Sequence, residues 1–408
     1  MSKLLTKPEV LAPAGDIERL RAAILFGADA VYLGGRSYGM RQGPSNFTQE
    51  ELSIGCELAH KSGVKVYLTC NTLPTNREID GFEEFIKSAY AAGIDAAIVN
   101  DIGVMSIINR ACPELELHIS TQAGIVNYAS AREFYSMGAK RVVLARELSI
   151  EDIHEIRAKT PKELDIECFV HGAMCVSFSG RCLLSQYLIG RDANRGECAQ
   201  PCRWSYSLVE EKRPGEYYPV VEDDRGTYIL NAKDLCMIGY LDKLAAAGVN
   251  SFKIEGRAKS AYYVSVVTNA YRLATDYLFE NADSFILPEW IKEEVMKVSH
   301  REYSTGFYFG RQDNSQYYKT SGYVRDYDVV AVVDSWSEGR LYCTQRNRFY
   351  KNDLLEILVP GKEPISYSAC EILNETGEAV EVANIATMKL SMPYPTPLPE
   401  GSIIRKRI

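Results

Sequence analysis

Apolar and polar positions alternate along the first 280 residues in one repeating sense: a short apolar run, then a longer amphipathic stretch. The apolar runs are EVLAPAG (9–15), DAVYLGG (29–35), VKVYLTCN (64–71), DAAIVND (95–101), LELHISTQ (115–122), KRVVLARE (140–147), LDIECFVHG (164–172) and NSFKIEGR (250–257). They are rich in β-branched residues and nearly continuous in apolar character, as strands buried on both faces should be. Between them lie helical patterns such as DIERLRAAILFG, TQEELSIGCELAHKSG, EIDGFEEFIKSAYAAG and SIEDIHEIRAKT. Gly27, Gly63, Gly93, Gly138 and Gly248 stand where helices should stop. Eight strands alternating with helices predict an α/β fold, a (β/α)8 TIM-like barrel. A doubly wound open sheet is the competing fold. It would more often carry a glycine-rich phosphate loop after the first strand, and APAGD at 12–16 is not GxGxxG.

One interval breaks the rhythm. Residues 173–249 separate the seventh and eighth strands, against roughly 30 residues for a usual unit. The stretch KDLCMIGYLDKLAAAG (233–248) supplies the expected helix, which leaves 173–232 as a long Cys-rich insertion after strand seven. Barrel enzymes carry their sites on that face. The barrel domain is thus expected over 1–280, including the helix at 260–278, and a further helix and a Gly- and Tyr-rich linker over 281–323. A small C-terminal β-barrel domain is expected over 324–408, from short alternating strands spaced by turns.

Composition narrows the function. At 46% hydrophobic and 25% charged, the 408 residues are ordinary for a globular protein. No apolar run is long enough to span a membrane, and MSKLLTKPEVLAPAG reads as no export signal, so a cytoplasmic location is expected. The net charge of −8 argues against broad non-specific binding to nucleic acid. It leaves room for a local basic patch made by Arg181, Arg191, Arg195, Arg203, Lys212 and Arg213. The alternative is that these cations are solvated or paired with Asp192, Glu197, Glu210 and Glu211.

Of 11 cysteines, Cys175, Cys182, Cys198 and Cys202 fall within a polar stretch of 34 residues, and Cys236 follows later. In a reducing compartment, clustered thiols point to metal ligation or redox chemistry rather than disulfides. Four thiolates suit tetrahedral zinc or a [4Fe–4S] cluster. The irregular spacing suits a cluster on a wrapping loop better than a zinc ribbon. Cys56, Cys70, Cys112, Cys168, Cys343 and Cys370 are isolated and read as packing residues.

The stretch ECFVHGAMCVSFSGRCLLS (167–185) resembles the signature of peptidase family U-32, the collagenase-like proteases. Glu167, Phe169, Gly172, Ala173, Met174, Cys175, Gly180, Cys182, Leu184 and Ser185 meet every specified position. LAPAGD, YLGG, STQ, ARELS, RDANRGEC, NAKDLC and FKIEGR are also similar to the family. The likeness covers 5–280 and, with the terminal β domain, is strongest to the prephenate-dependent tRNA uridine hydroxylation branch. That resemblance implies an iron-sulfur enzyme forming 5-hydroxyuridine at the wobble position, with tRNA and prephenate as partners and a second protein of the family as a further partner. It implies [4Fe–4S] ligands at Cys175, Cys182, Cys198 and Cys236, with Cys202 as the competing position. Ribosomal RNA hydroxylation is an alternative within the same family.

Strand ends of a barrel converge on its axis. The candidates there are Asn71, Asn100, Asp101, Gln122, Arg146, Glu147, His171, Lys253, Glu255 and Arg257. Of these, His171, Glu255, Arg257 and Arg146 are the catalytic candidates. Arg146 and Arg257 offer forks for an anionic co-substrate; the plainer reading is a ring of paired charges closing the mouth. His171 is equally readable as a structural histidine. Phe178, Tyr187 and Trp204 are candidates for stacking a flipped base. The runner-up activity is that of a U-32 peptidase. The sequence has no HExxH or GxSxG, and a cysteine protease would need His171 facing Cys175. A third reading, an RNA-binding protein with a structural cluster, leaves the strand-end charges unused.

Overall fold

The computed structural model describes residues 6–39, 46–175, 177, 182–192, 197–203, 221–223, 226–228, 233–282, 284–310 and 323–408. Phe178, Gly180, Arg181, Arg195, Trp204, Glu210, Glu211, Lys212 and Arg213 lie outside them, as do the side chains of Tyr187 and Arg203.

Strands β1 (Glu9–Pro13), β2 (Ala30–Leu33), β3 (Lys65–Cys70), β4 (Ala96–Val99), β5 (Glu116–Ile119), β6 (Ala139–Val143) and β7 (Asp165–Ala173) pair in sequence order, all parallel. A short antiparallel hairpin, β8 (Val221–Asp223) and β9 (Gly226–Tyr228), lies in the insertion and is followed by β10 (Asp234–Cys236) and β11 (Ser251–Ile254). β11 pairs in parallel with both β1 and β7, so eight strands close on themselves as a TIM-like barrel.

The apolar faces explain the closure. Leu11, Ala30, Tyr32, Tyr67, Ala96 and Ile98 point inward and make a small inner cluster. The opposite faces carry the large core between strands and helices. Those helices are α1 (Ile17–Leu25), α2 (Gln49–Lys61), α3 (Asn76–Ile79), α4 (Phe82–Ala91), α5 (Ile102–Ala111), α6 (Tyr128–Ser136), α7 (Ile150–Ala158), α8 (Leu184–Ile189), α9 (Leu241–Ala246), α10 (Ala261–Glu280) and α11 (Glu289–Glu294). Polar side chains cap several starts, with reciprocal boxes at Thr48/Glu51 and Ser149/Asp152. The five glycines expected at helix stops all have positive φ, between 72° and 103°.

One expectation needs correction. The start of 233–248 is not helical: Asp234–Cys236 forms β10, antiparallel to the end of β7, and a single 3-10 turn (Ile238–Tyr240) leads into α9. The long β7 outruns its barrel neighbours, and β10 satisfies the backbone groups thus left over. β12 (Tyr303–Ser304) pairs in turn with β10.

The terminal domain comprises β13 (Tyr327–Ser337), β14 (Arg340–Gln345), β15 (Phe349–Tyr350), β16 (Leu354–Leu358), β17 (Ile365–Ser368), β18 (Leu373–Asn374), β19 (Val382–Ala383), β20 (Lys389–Pro393) and β21 (Ile403–Arg407). Seven of these form an antiparallel sheet in the order β17-β16-β21-β13-β14-β20-β18, and β15 pairs with β19. They enclose a separate core that includes Val333, Leu341, Phe349, Ile357, Met392 and Ile404. Among the described residues no helix is long and apolar enough to cross a membrane.

Candidate active site at the barrel mouth

Below the mouth, the barrel interior is filled by charge. Arg141 bonds Glu9 at 2.5 Å, Glu167 at 3.2 Å and Asp165 at 3.2 Å, and Lys253 meets Glu167 at 2.6 Å. Burial alone would raise the Glu167 pKa, but Lys253, Arg141 and His118 outweigh it and hold the carboxyl below its usual range. This ion network closes the floor. Above it opens a cavity of about 360 Å3 at the carboxyl ends of the strands.

Seven of the ten strand-end candidates line that cavity: Asn71, Gln122, Arg146, Glu147, Lys253, Glu255 and Arg257. Arg146 lies over the Phe169 ring at 3.8 Å, donates to the Ala173 carbonyl at 3.0 Å and approaches Glu255 at 3.5 Å. Arg257, at 6% exposure, donates to Thr69 Oγ1 at 2.6 Å and Asn46 Oδ1 at 3.4 Å. Both guanidinium groups are therefore fixed by packing and hydrogen bonds.

Three candidates stand elsewhere. Asp101 caps α5 by accepting the Val104 N–H at 2.9 Å. Asn100 is buried but does not line the cavity. His171 is also outside it: the ring faces α10 and β12, with Tyr271 Oη 3.3 Å from Nδ1 and Tyr303 Oη 3.2 Å from Nε2. Burial, with smaller effects from His300 and Lys259, pushes its pKa down to about 3. At neutral pH this is an uncharged structural histidine. The irregular register at the end of β7, where Ile254 aligns with His171 rather than Val170, breaks the alternation that would have turned its ring inward.

Gly172, next along, has φ +107°, and a Cβ there would sit 2.5 Å from the Glu255 carbonyl. The signature glycine thus lets β7 pass directly against the strand end that carries Glu255 and Arg257.

The chain then enters the thiol-bearing segment. Cys175, Cys182, Cys198 and Cys202 all line the cavity. The sulfurs of Cys175, Cys182 and Cys198 each accept a backbone N–H from two residues on, Ser177, Leu184 and Gln200, all at 3.4 Å. Burial raises the Cys175 pKa; the Ser177 N–H and Arg146 oppose this, while Cys182 and Cys198 add to it. Cys236 pairs across the sheet with His171 and is outside the cavity lining. It shares the local arrangement, because the Ile238 N–H acts on its sulfur, although burial pushes the thiol up to about 11. By donor chemistry the set fits a thiolate-ligated centre, and N–H groups aimed at sulfur are what such a centre uses for tuning. Among the described residues no three His, Cys, Asp or Glu side chains are drawn close enough to hold a metal ion.

Sequence reasoning passed over Thr69, Ser120, Thr121, Lys259 and Tyr323, which also line the cavity. Thr69 carried a usable signal, a polar residue one position before the end of an apolar strand. Tyr323 carried none, since it arrives from outside the barrel.

Residues 15–317 match the model of peptidase family U32, and residues 325–405 match the family's C-terminal domain. The chain is 37% identical over 381 residues to tRNA hydroxylation protein P1 of Bacillus subtilis (strain 168), covering 92% of this chain and 89% of that one. It is 35% identical over 434 residues to tRNA hydroxylation protein P of Escherichia coli (strain K12), covering 96% and 95%. A collagenase of Porphyromonas gingivalis (strain ATCC BAA-308 / W83) is 38% identical over 315 residues, covering 74% of each chain. With both domains matched and relatives aligned along nearly all its length, the protein belongs to peptidase family U32.

Proposed function

We propose that this protein is an RNA-modifying enzyme that forms 5-hydroxyuridine at the wobble position of tRNA, using prephenate as co-substrate and a [4Fe–4S] cluster. The observation that carries the reading is the sharing of one barrel-mouth cavity by a thiol set and two fixed arginines. The Bacillus subtilis and Escherichia coli relatives, matched over 92% and 96% of this chain with the terminal domain included, are both named for tRNA hydroxylation.

Cys175, Cys182, Cys198 and Cys236 would hold the cluster, which supplies one-electron transfer when bound. They are nominated by the shared N–H arrangement at their sulfurs, and Cys202 is the competing fourth thiol because it lines the cavity. Arg146 and Arg257 present planar forks, the geometry that a carboxylate accepts in two parallel bonds. Prephenate carries two carboxylates. Glu255 restrains Arg146, and Thr69 restrains Arg257, so neither fork has to be ordered when the anion arrives. Lys253 adds a buried cation at the cavity base. A uridine has to leave its stack to enter such a cavity. Tyr323, 41% exposed on the lining, is an aromatic group at its edge, with Lys259 Nζ 4.6 Å and Arg301 Cζ 5.1 Å from its ring centroid.

The peptidase reading needs a histidine beside a thiol. Among the described lining residues there is no histidine; His171 faces the tyrosines of α10 and β12, and the thiol paired with it across the sheet, Cys236, is outside the cavity lining.

Two measurements test the proposal. Deleting the gene should abolish 5-hydroxyuridine in tRNA nucleosides read by mass spectrometry; an unchanged level, in a host without a redundant route, removes the assignment. A loss confined to ribosomal RNA nucleosides would move the substrate to that RNA. Protein prepared without oxygen should be brown and contain iron and sulfide, and Ala at Cys175, Cys182, Cys198 or Cys236 should remove both. Retention in Cys236→Ala with loss in Cys202→Ala would transfer the fourth position to Cys202. Colourless protein with one zinc per chain would refute the cluster.

A further inference from the structure

The cavity accounts for a base and a small anion but offers nothing to hold the rest of a tRNA. We infer that the exposed edge of the terminal domain around Tyr350 is an RNA-docking surface that stacks a nucleotide and neutralises its phosphates. The inference rests on the RNA-modifying reading above and specifies where the RNA is gripped.

The sequence QRNRFYK (345–351) supplies the surface. Phe349 is fully buried in the domain core, and this anchors the segment and turns its neighbours outward. Arg346, Arg348 and Tyr350 are exposed. The Tyr350 ring, 45% exposed, has Arg348 Cζ and Lys406 Nζ each 5.8 Å from its centroid. The ring is held by its backbone: Tyr350 N–H donates to Asp353 at 2.8 Å, and the same carboxylate oxygen receives Lys406 at 2.7 Å. One aromatic face between two cations is the arrangement that takes single-stranded nucleic acid, stacking a base while the cations meet phosphates.

The charge is unbalanced in the required sense. Lys351 pairs with Glu381 and Lys406 with Asp353, but among the described residues Arg348 has no carboxylate partner. This excess sits on a chain of net charge −8, so the patch is a local exception to a field that otherwise repels RNA.

Its position is the second argument. Arg346 approaches Glu18 at 3.9 Å, in the first turn of α1. That turn is at the mouth: a Cβ on Gly15 would sit 2.3 Å from the carbonyl of Arg257, a cavity residue. The other end of α1 meets a different part of the domain, with Gly401 against Leu25. The terminal domain therefore lies lengthwise along α1 with its basic end toward the cavity. A strand stacked on Tyr350 can continue to the mouth.

The test uses the full-length protein and an unmodified tRNA transcript with uridine at the wobble position. Binding is read by fluorescence anisotropy across a salt series, and 5-hydroxyuridine is read in tRNA from a deletion strain complemented with each variant. Tyr350→Ala should weaken binding about tenfold, the usual scale for losing one stacked base, while Tyr350→Phe should bind as wild type. Arg348→Glu should weaken binding and flatten the salt slope by about one unit. Product should fall in parallel for Tyr350→Ala and Arg348→Glu. Wild-type affinity in both of these variants, with wild-type protein still making product, overturns the docking surface and leaves the hydroxylase reading standing. Product lost in variants whose tRNA affinity is unchanged also overturns it, and points to a protein partner at this face. Absence of product from wild-type protein in the complemented strain would sink the hydroxylase reading itself.

Discussion

Arg257 reaches the cavity through a space that a single missing side chain leaves open. A Cβ on Gly34, the first glycine of the YLGG segment, would stand 2.6 to 2.8 Å from three atoms of its guanidinium. No backbone strain is involved, because Gly34 does not need a positive φ. Gly34→Ala should therefore keep the backbone in place and push the far end of the arginine side chain off the Thr69 and Asn46 contacts that fix it. Displacing a positioning group by about 1 Å costs a rate of order a hundredfold. The expected outcome is a melting temperature close to wild type, with 5-hydroxyuridine accumulating about a hundredfold more slowly in complemented cells. A variant with wild-type accumulation would mean that Arg257 does not orient the substrate.

At the level of elements, β7 joins the barrel floor to the thiol segment, and its residues divide by height. Glu167 belongs to the floor network, Phe169 supports Arg146, His171 turns outward, and Gly172 opens the way to the thiols. Glu167→Gln would leave Lys253 and Arg141 short of their buried counter-charge, and breaking such a pair from one side costs about 3–5 kcal/mol. Acidification should act in the same direction. The folded carboxyl holds its proton less tightly than the unfolded one, so its stabilising effect is complete above the unfolded pKa of 4.5 and is lost as pH falls through the lower folded value. His118 reinforces this from higher pH, because burial lowers its pKa below 6.5 and the unfolded chain takes up that proton first. Urea denaturation between neutral and acidic pH checks both. Stability that does not fall with pH would show the network to be neutral on balance.

The same strand shows what the sequence could reveal. Apolar runs located β1 to β7 and β11 because strands buried on both faces leave a continuous signal. The inward Arg146, Lys253, Glu255 and Arg257 followed from that register. The outward turn of His171 did not, since a one-residue irregularity between β7 and β11 leaves no trace in residue type. β10 was read as part of a helix because three residues of strand are too few to show a period. β21, a central strand of the terminal sheet, reads IIRKR, and its run of cations carries no apolar alternation to mark it as a strand.

That strand governs the molecule as a whole. Arg405, within β21, is fully buried and joins the two domains: it meets Glu294 of α11 at 2.7 Å and Glu356 of β16 at 2.7 and 3.0 Å. Lys297 bridges the same two carboxylates at 2.9 and 3.0 Å. The barrel thus supplies Glu294 and Lys297, and the terminal domain supplies Arg405 and Glu356. The lock sets how the Tyr350 surface stands relative to the cavity, and the proposed RNA path from one to the other depends on that setting. Arg405→Ala would leave the buried Glu294 and the half-buried Glu356 with Lys297 as the remaining cation of the cluster, a loss of about 3–5 kcal/mol. Each domain has its own core, so the loss should fall on their coupling rather than on either fold. Calorimetry should show one wild-type unfolding transition becoming two in the variant, with the patch still binding tRNA and the product reduced. A single transition at the wild-type temperature would show that the apolar contacts between the domains, and not this ion cluster, hold them in register.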